Sequence, residues 1–366
     1  MRVALSHDWL NGMRGGEKCL EALCELYPDA VVHTLFHQKG KLSPGIARHP
    51  IRTSPVQVLP GVFERYRYYL PFFPAAVETF DMRGYDLIVS TSHCVAKGVR
   101  RVKPGVHVCY CFTPMRYAWG FFHEYFGNKS GVAQALIRFF ITRLREWDRR
   151  TIDRVDRFIA ISQHVRERIL RHYGRDAEVI YPPVDTAFYT PSADTVREDF
   201  YLVVSALVPY KRVDLAVRAC GKLGRRLVVI GDGPELKRLK RLARPGTTFL
   251  GWQSDESIRD HYRRARALVF PGEEDFGIVP VEAQACGLPV IAYGRGGALE
   301  TVIRRETGLF FTELTEEALC GTIEAFERIK FLPELARRNA EKFSRDRFMK
   351  EIRASIDRTI SAETLR

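Results

Sequence analysis

Short runs of β-branched and other apolar residues alternate along the whole chain with longer stretches whose apolar positions recur at helical spacing. This is the pattern of parallel strands joined by crossover helices. In the first half it predicts strands at residues 3–6, 31–35, 87–90, 107–111 and 158–161; in the second, at 201–205, 227–230, 248–250, 267–270 and 289–292. The rhythm breaks at Tyr181-Pro182-Pro183-Val184-Asp185, and the polar stretch that follows, up to Asp199, keeps neither period. That break reads as an interdomain linker. The expected organisation is therefore α/β, with two Rossmann-like, doubly wound domains at residues 1–184 and 199–344 facing each other across a cleft. From about Arg345 to residue 366 the pattern is that of an amphipathic helix.

Composition narrows the class. A chain of 366 residues exceeds one ordinary core, and 46% hydrophobic with 28% charged residues excludes both a disordered chain and a fibre. No run approaches the roughly 18 apolar residues that span a bilayer, and the N-terminus turns polar too early for a secretory signal, so a cytoplasmic chain is expected. The eight cysteines form no CxxC pair and sit mostly in apolar runs, which predicts neither a disulfide framework nor a zinc site. The formal charge of +13 is concentrated in residues 1–190, where 27 Lys and Arg stand against 18 Asp and Glu. Such a surface suits nucleic acid, an anionic membrane face or phosphate-bearing substrates. No helix-turn-helix, RNP or zinc-finger signature is present and the basic residues are dispersed, so no nucleic-acid partner is expected.

The segment from Pro271 to Ala292 carries the most chemistry. A strand ending at Phe270 leads into an acidic loop containing Glu274, then a helix from about Ile278 that carries Glu282 two turns in. Carboxylates so placed can accept hydrogen bonds from hydroxyl-rich groups of one ligand. On the residues alone, Glu273-Glu274-Asp275 reads equally as a solvated loop that favours a helix N-terminus. Val229-Ile230-Gly231-Asp232-Gly233 is a strand followed by a Gly-rich turn, compatible with close approach of a nucleotide or with a plain turn. Gly15 and Gly16, in Gly12-Met13-Arg14-Gly15-Gly16-Glu17-Lys18, could present amides to a diphosphate or merely cap a helix.

The 271–292 segment resembles the nucleotide-sugar signature of retaining glycosyltransferase family 4, in which two glutamates are separated by seven residues, as Glu274 and Glu282 are. Phe276-Gly277 and Pro289-Val290-Ile291-Ala292 match its context. Val208-Pro209-Tyr210-Lys211-Arg212-Val213-Asp214 and Thr113-Pro114-Met115-Arg116-Tyr117-Ala118-Trp119 are similar to the bacterial mannosyltransferase-like branch of surface-polysaccharide assembly. The resemblance extends over nearly the whole chain and implies a GT-B fold. It also implies a hexosyltransferase that takes a nucleotide sugar, most plausibly GDP-mannose, to a lipid-linked saccharide acceptor.

The same resemblance assigns roles. Glu274, with Phe276, Gly277 and Ile278, would hold the donor sugar, and Glu282 the ribose. Lys211, Arg212, Gly15 and Gly16 would hold the diphosphate, and Gly231, Gly251 and Trp252 the base. Glu274 and Lys211 would be the catalytic pair, while His93, Arg116 and Tyr117 fall on the acceptor side. The implied chemistry is a front-side displacement in which a phosphate oxygen helps remove the acceptor proton. No DxD motif occurs, so neither metal nor cofactor is expected. Three positions depart from the pattern: Ala206 replaces an arginine, Phe112 a histidine and Ile161 an asparagine. They leave room for an alternative, a catalytically impaired partner protein that still binds a nucleotide sugar.

The surplus charge also has a use at a membrane. The 62–73 segment interleaves aromatics with arginines, and 136–150 reads as a basic helix with Leu136, Phe140, Leu144 and Trp147 near one stripe. Such segments can lie in a headgroup layer, which would make the protein peripheral at the inner face of an anionic membrane. The second segment reads equally as a core-facing helix with arginines on its outer face.

Overall fold

The computed structural model describes residues 1–119 and 131–365. They form two compact units, one of Met1–Pro183 with Asp346–Arg366 and the other of Val184–Arg345. Among the described residues no helix is long and apolar enough to cross a membrane.

The first unit is built on a seven-stranded parallel sheet of order β3-β2-β1-β4-β5-β6-β7. Its strands are β1 (Val3–His7), β2 (Val31–Thr34), β3 (Ile51–Thr53), β4 (Leu87–Ser92), β5 (Val106–Cys111), β6 (Arg157–Ala160) and β7 (Glu178–Val179). Every residue of β1, β4 and β5 is buried, as expected for central strands covered on both faces. The register sets His7 beside Thr91 and Thr91 beside Tyr110, so the carboxyl ends of β1, β4 and β5 lie side by side. The Arg345–Thr364 helix packs on this unit: Phe348 meets Tyr110 at 5.5 Å between ring centres, and Ser355 donates to Glu178.

The second unit has a six-stranded parallel sheet of order β10-β9-β8-β11-β12-β13. These are β8 (Tyr201–Val204), β9 (Leu227–Ile230), β10 (Thr247–Gly251), β11 (Ala267–Phe270), β12 (Val290–Tyr293) and β13 (Gly308–Phe311). Residues 184–199 are not a free linker. Tyr189 is buried against Tyr262, Arg197 donates to the carbonyls of Ala265 and Gly287, and Arg263 to that of Thr190. An irregular backbone without periodicity is here strapped to the second unit by arginine side chains.

The Val132–Arg150 helix buries Ile141, Leu144 and Trp147 in the core of the first unit, with Ile137 partly buried beside them. Phe140 does not belong to that stripe. It is exposed, as is Phe139, because its position falls on the outer face once Ile141 turns inward. The Leu136 side chain lies outside what the structure describes. Lys97, buried after β4, reaches this helix through an ion pair with Asp148 (2.9 Å) and hydrogen bonds to the Asp148 carbonyl and Thr151 Oγ1.

Candidate functional site

In the second unit, the loops that leave the carboxyl ends of β8, β9, β10, β11 and β12 carry the predicted donor residues. Lys211 ends a short turn after β8 and pairs with Glu274, in the loop after β11. Gly272 makes the approach possible: a Cβ there would lie 2.9 Å from Lys211 Cα and 3.0 Å from the Tyr210 carbonyl, with no flexible atom to yield. The loop after β12 locks onto the same strand end, since the Gly297 amide donates to the Glu274 carbonyl at 2.8 Å. A side chain at Gly297 would run into the Phe276 backbone, and Gly296 has φ +63, a region costly to other residues. Glu274 is thus fixed at its backbone and matched at its carboxylate.

Glu282 projects from the Ile278–Ala285 helix and is only 6% exposed. Its Oε2 accepts from the Tyr262 phenol at 3.3 Å. Burial, aided by the charge of Glu282, pushes that phenol well above its usual range and keeps it a donor. Tyr262 had no signal in the sequence beyond an aromatic on a helix.

The remaining predicted donor residues divide. The Gly231 amide donates to the Gly251 carbonyl at 2.7 Å, and a Cβ on Gly231 would collide with the Ser205 carbonyl. These glycines therefore hold neighbouring strand ends together. Trp252 is 80% exposed, which excludes core packing. The Phe276 ring is buried against Phe343 at 5.6 Å, so its backbone is what remains available to a ligand; Gly277 and Ile278 beside it are half-buried. Arg212 adopts φ +50 and its Nε donates to Asp214 at 3.2 Å, while Ala206 is exposed.

In the first unit, Gly15 and Gly16 open the Gly15–Leu26 helix behind β1. A Cβ at Gly16 would sit 3.2 Å from the Phe112 ring and 3.6 Å from His7. His7 Nδ1 bonds Thr91 Oγ1 at 2.7 Å and its Nε2 lies 3.9 Å from Glu17, whose carboxylate accepts from the Arg14 amide. Although burial opposes it, hydrogen bonding and charge from His7 lower the Glu17 carboxyl below its usual range. His93 pairs with Asp8 at 2.9 Å, an acid that sequence reasoning missed. Of the other acceptor-side residues, Arg116 is half-buried, whereas Tyr117 lies in the core, which removes its ring from the surface. Ile161 is buried, and Ser162 caps the next helix by accepting from the Val165 amide. Among the described residues no three His, Cys, Asp or Glu side chains converge as a metal site would require, and all eight cysteines are buried free thiols.

Two family models match, described as Glycosyltransferase Family 4 over residues 13–188 and Glycosyl transferases group 1 over residues 191–343. The D-inositol 3-phosphate glycosyltransferase of Rhodococcus opacus is 31% identical over 223 residues, 52% of this chain and 50% of its own. The GDP-mannose-dependent alpha-(1-6)-phosphatidylinositol monomannoside mannosyltransferase of Mycolicibacterium smegmatis is 33% identical over 178 residues, 40% of this chain and 47% of its own. The chain spans about half the length of these curated relatives. Anabaena Alr3699/HepE, solved with UDP and glucose, aligns over 98% of this chain and 99% of its own with TM-score 0.72 and 19% identity, a likeness of fold. With two Rossmann-like parallel-sheet units of the GT-B kind and both halves matched, the chain belongs to the family 4 glycosyltransferases.

Proposed function

We propose that the protein is a retaining hexosyltransferase that moves mannose from GDP-mannose to a lipid-linked saccharide in surface-polysaccharide assembly. The observation that carries this reading is the Lys211–Glu274 pair at the strand ends, with Glu282 held by Tyr262 in the same unit. A diphosphate draws the ammonium of Lys211 to itself as charge builds on the leaving oxygens, and frees Glu274 to accept from sugar hydroxyls. Glu282 takes the ribose hydroxyls, and the flanking loops supply backbone amides. The 33%-identical relative is named for GDP-mannose, which favours guanine and mannose. The ammonium of Lys211 would supply the positive charge that a leaving diphosphate needs, which supports a transfer that requires no metal. The acceptor comes from the inner face of a membrane to which the first unit binds peripherally.

A second reading, a partner protein that binds donor without transfer, is favoured by Ala206 and Phe112 and by the engagement of Arg212 with Asp214. Thermal shift with GDP, UDP and ADP, on the wild type and Glu282→Ala, tests the donor site. At about 100 times Kd a nucleotide adds roughly 2.7 kcal/mol of stability. Stabilisation by GDP that is lost in the variant is expected, and stabilisation by none of the three overturns the reading. Transfer of labelled mannose into a lipid extract, insensitive to EDTA, then separates enzyme from partner.

A further inference from the structure

A cavity of about 490 Å³ lies in the second unit, between the edge strand β13 and the Glu316–Glu327 helix that follows it. Its volume falls in the range of small-molecule sites, roughly 300–1,000 Å³. Leu309, Phe310, Ala325 and Ile329 give it an apolar wall, and Arg304 and Arg305, in the turn that enters β13, line it as well. The donor residues occupy loops at the carboxyl ends of the parallel strands, whereas this turn stands at the amino end of β13, on the opposite edge of the sheet. No donor or acceptor role falls on it.

Two departures from local preference meet at this cavity. Arg305 has φ +68, a left-handed conformation that glycine adopts readily and an arginine does not. The turn imposes it: the Arg305 amide donates to the Gly308 carbonyl at 2.8 Å, the Thr307 amide to the Ile303 carbonyl at 2.9 Å, and Thr307 Oγ1 accepts from the Ile303 amide at 2.9 Å. Among the described residues neither the Arg304 nor the Arg305 side chain makes a hydrogen bond, ion pair or ring contact, so packing does not explain the arginine. Gly321, in the middle of the helix, is the poorest helix former after proline, yet a Cβ there would meet nothing within 4 Å outside the backbone of its own helix. Sequences break local rules mainly where function asks for it, and here a cation and a missing side chain border the same space.

We propose that this cavity binds a soluble phosphate monoester with a small apolar body, a ligand independent of the sugar donor. Among the described residues two guanidiniums and no carboxylate line it, so its lining carries two positive charges. A phosphate monoester above its second pKa of about 6 brings up to two negative charges, and its three oxygens suit the planar forks of arginine. A carboxylate would leave one guanidinium unmatched. The wall of Leu309, Phe310, Ala325 and Ile329 takes the body of the ester out of water, and leucine at 321 would fill the room that Gly321 leaves. The size selects a free ligand, because the paired acyl chains of a phospholipid exceed it.

Calorimetric titration of the full chain with 1-naphthyl phosphate tests this. Binding is expected, with inorganic phosphate at least about tenfold weaker because it has no body to bury. Arg305→Gly and Gly321→Leu should each weaken the probe by about tenfold or more, the first by removing a cation, the second by filling the space. Neither should lower the melting temperature, since glycine suits φ +68 and leucine favours a helix more than glycine does. Either variant decides if the other misfolds. Saturating GDP should leave the Kd of the probe unchanged. Displacement by GDP would put the probe at the donor site and overturn the proposal, as would an affinity that neither variant alters, no binding at millimolar probe, or binding only to vesicles that contain phosphatidic acid. If the probe binds and GDP does not, the donor reading fails and this one stands.

Discussion

The phenol of Tyr262 lies 3.3 Å from Oε2 of Glu282, the two side chains meeting from the Asp255–Arg264 and Ile278–Ala285 helices. Tyr262 is fully buried and packs edge-on against Tyr189. Its hydroxyl has little to do for stability that a phenyl ring would not, but it aims the carboxylate. Tyr262→Phe should therefore fold normally and weaken GDP binding about threefold to tenfold, the equivalent of roughly 0.5–1.5 kcal/mol for one hydrogen bond. Calorimetric titration with GDP reads this directly, and an unchanged Kd means that Glu282 is aimed without it.

Lys97 and Asp148 make a buried pair of another kind. The ammonium has Asp148 Oδ1, the Asp148 carbonyl and Thr151 Oγ1 around it, and Trp119 Nε1 donates to the other carboxylate oxygen at 2.7 Å. Both side chains are at most 2% exposed, so removing one charge leaves the other uncompensated. Lys97→Met should cost about 3–5 kcal/mol in denaturant unfolding, and adding Asp148→Leu should recover much of it. A single-variant loss under about 1 kcal/mol would mean that the pair is not a stability element.

What the sequence made legible follows from locality. The runs at 3–6, 87–90 and 267–270 announced strands because both sheet faces are covered and every position in them is apolar or small. Glu274 and Glu282 stood out because their spacing in one loop and helix resembles the family signature; on the residues alone the acidic loop read equally as a solvated helix N-terminus. β7 was not, being two residues long, nor β3, whose Arg52 and Thr53 are exposed at the sheet edge. Asp8 with His93, and Tyr262 with Glu282, are 85 and 20 positions apart, and no periodicity links such pairs. Only the strand register brings Asp8 to the loop after β4. Tyr117 and Phe140 show the reverse: a motif position and a stripe position whose exposure depends on tertiary packing that the pattern does not contain.

Two buried groups make stability fall in separate acid windows. His107 bonds Ser90 and the Arg154 carbonyl, and burial lowers it from 6.5 to about 3. The unfolded chain takes up that proton first, so stability drops as pH falls from about 6.5 towards about 3. Asp8 is lowered from 3.8 to about 2, so its contribution is complete above about 4 and lost as pH falls through about 2. That shift corresponds to about 2 kcal/mol. Urea midpoints across pH should show His107→Gln flattening the upper window and Asp8→Asn only the lower. A His107 variant with an unchanged slope between pH 6 and 4 would assign the loss elsewhere.

The exposed aromatics of the first unit carry the membrane part of the proposal. Tyr68 and Phe72 are 81% and 60% exposed, Phe139 and Phe140 56% and 48%, and both segments root in the same core cluster through Tyr66, Leu70, Ile141 and Leu144. Arg67 and Arg143 lie over the Tyr66 and Phe139 rings at 4.8 and 5.4 Å, so each segment carries a cation beside its exposed aromatics. Each arginine near an anionic headgroup contributes about 1 kcal/mol, and the aromatic rings add burial that salt does not screen. The protein should therefore sediment with vesicles containing phosphatidylglycerol, and much less with phosphatidylcholine alone. Raised salt should weaken the first association without abolishing it. Phe139→Ser with Phe140→Ser should leave the melting temperature near wild type, since neither ring is in the core, while removing the salt-resistant fraction. Equal sedimentation with both vesicle types, or a double variant that binds as before at high salt, would show that these side chains do not meet the bilayer.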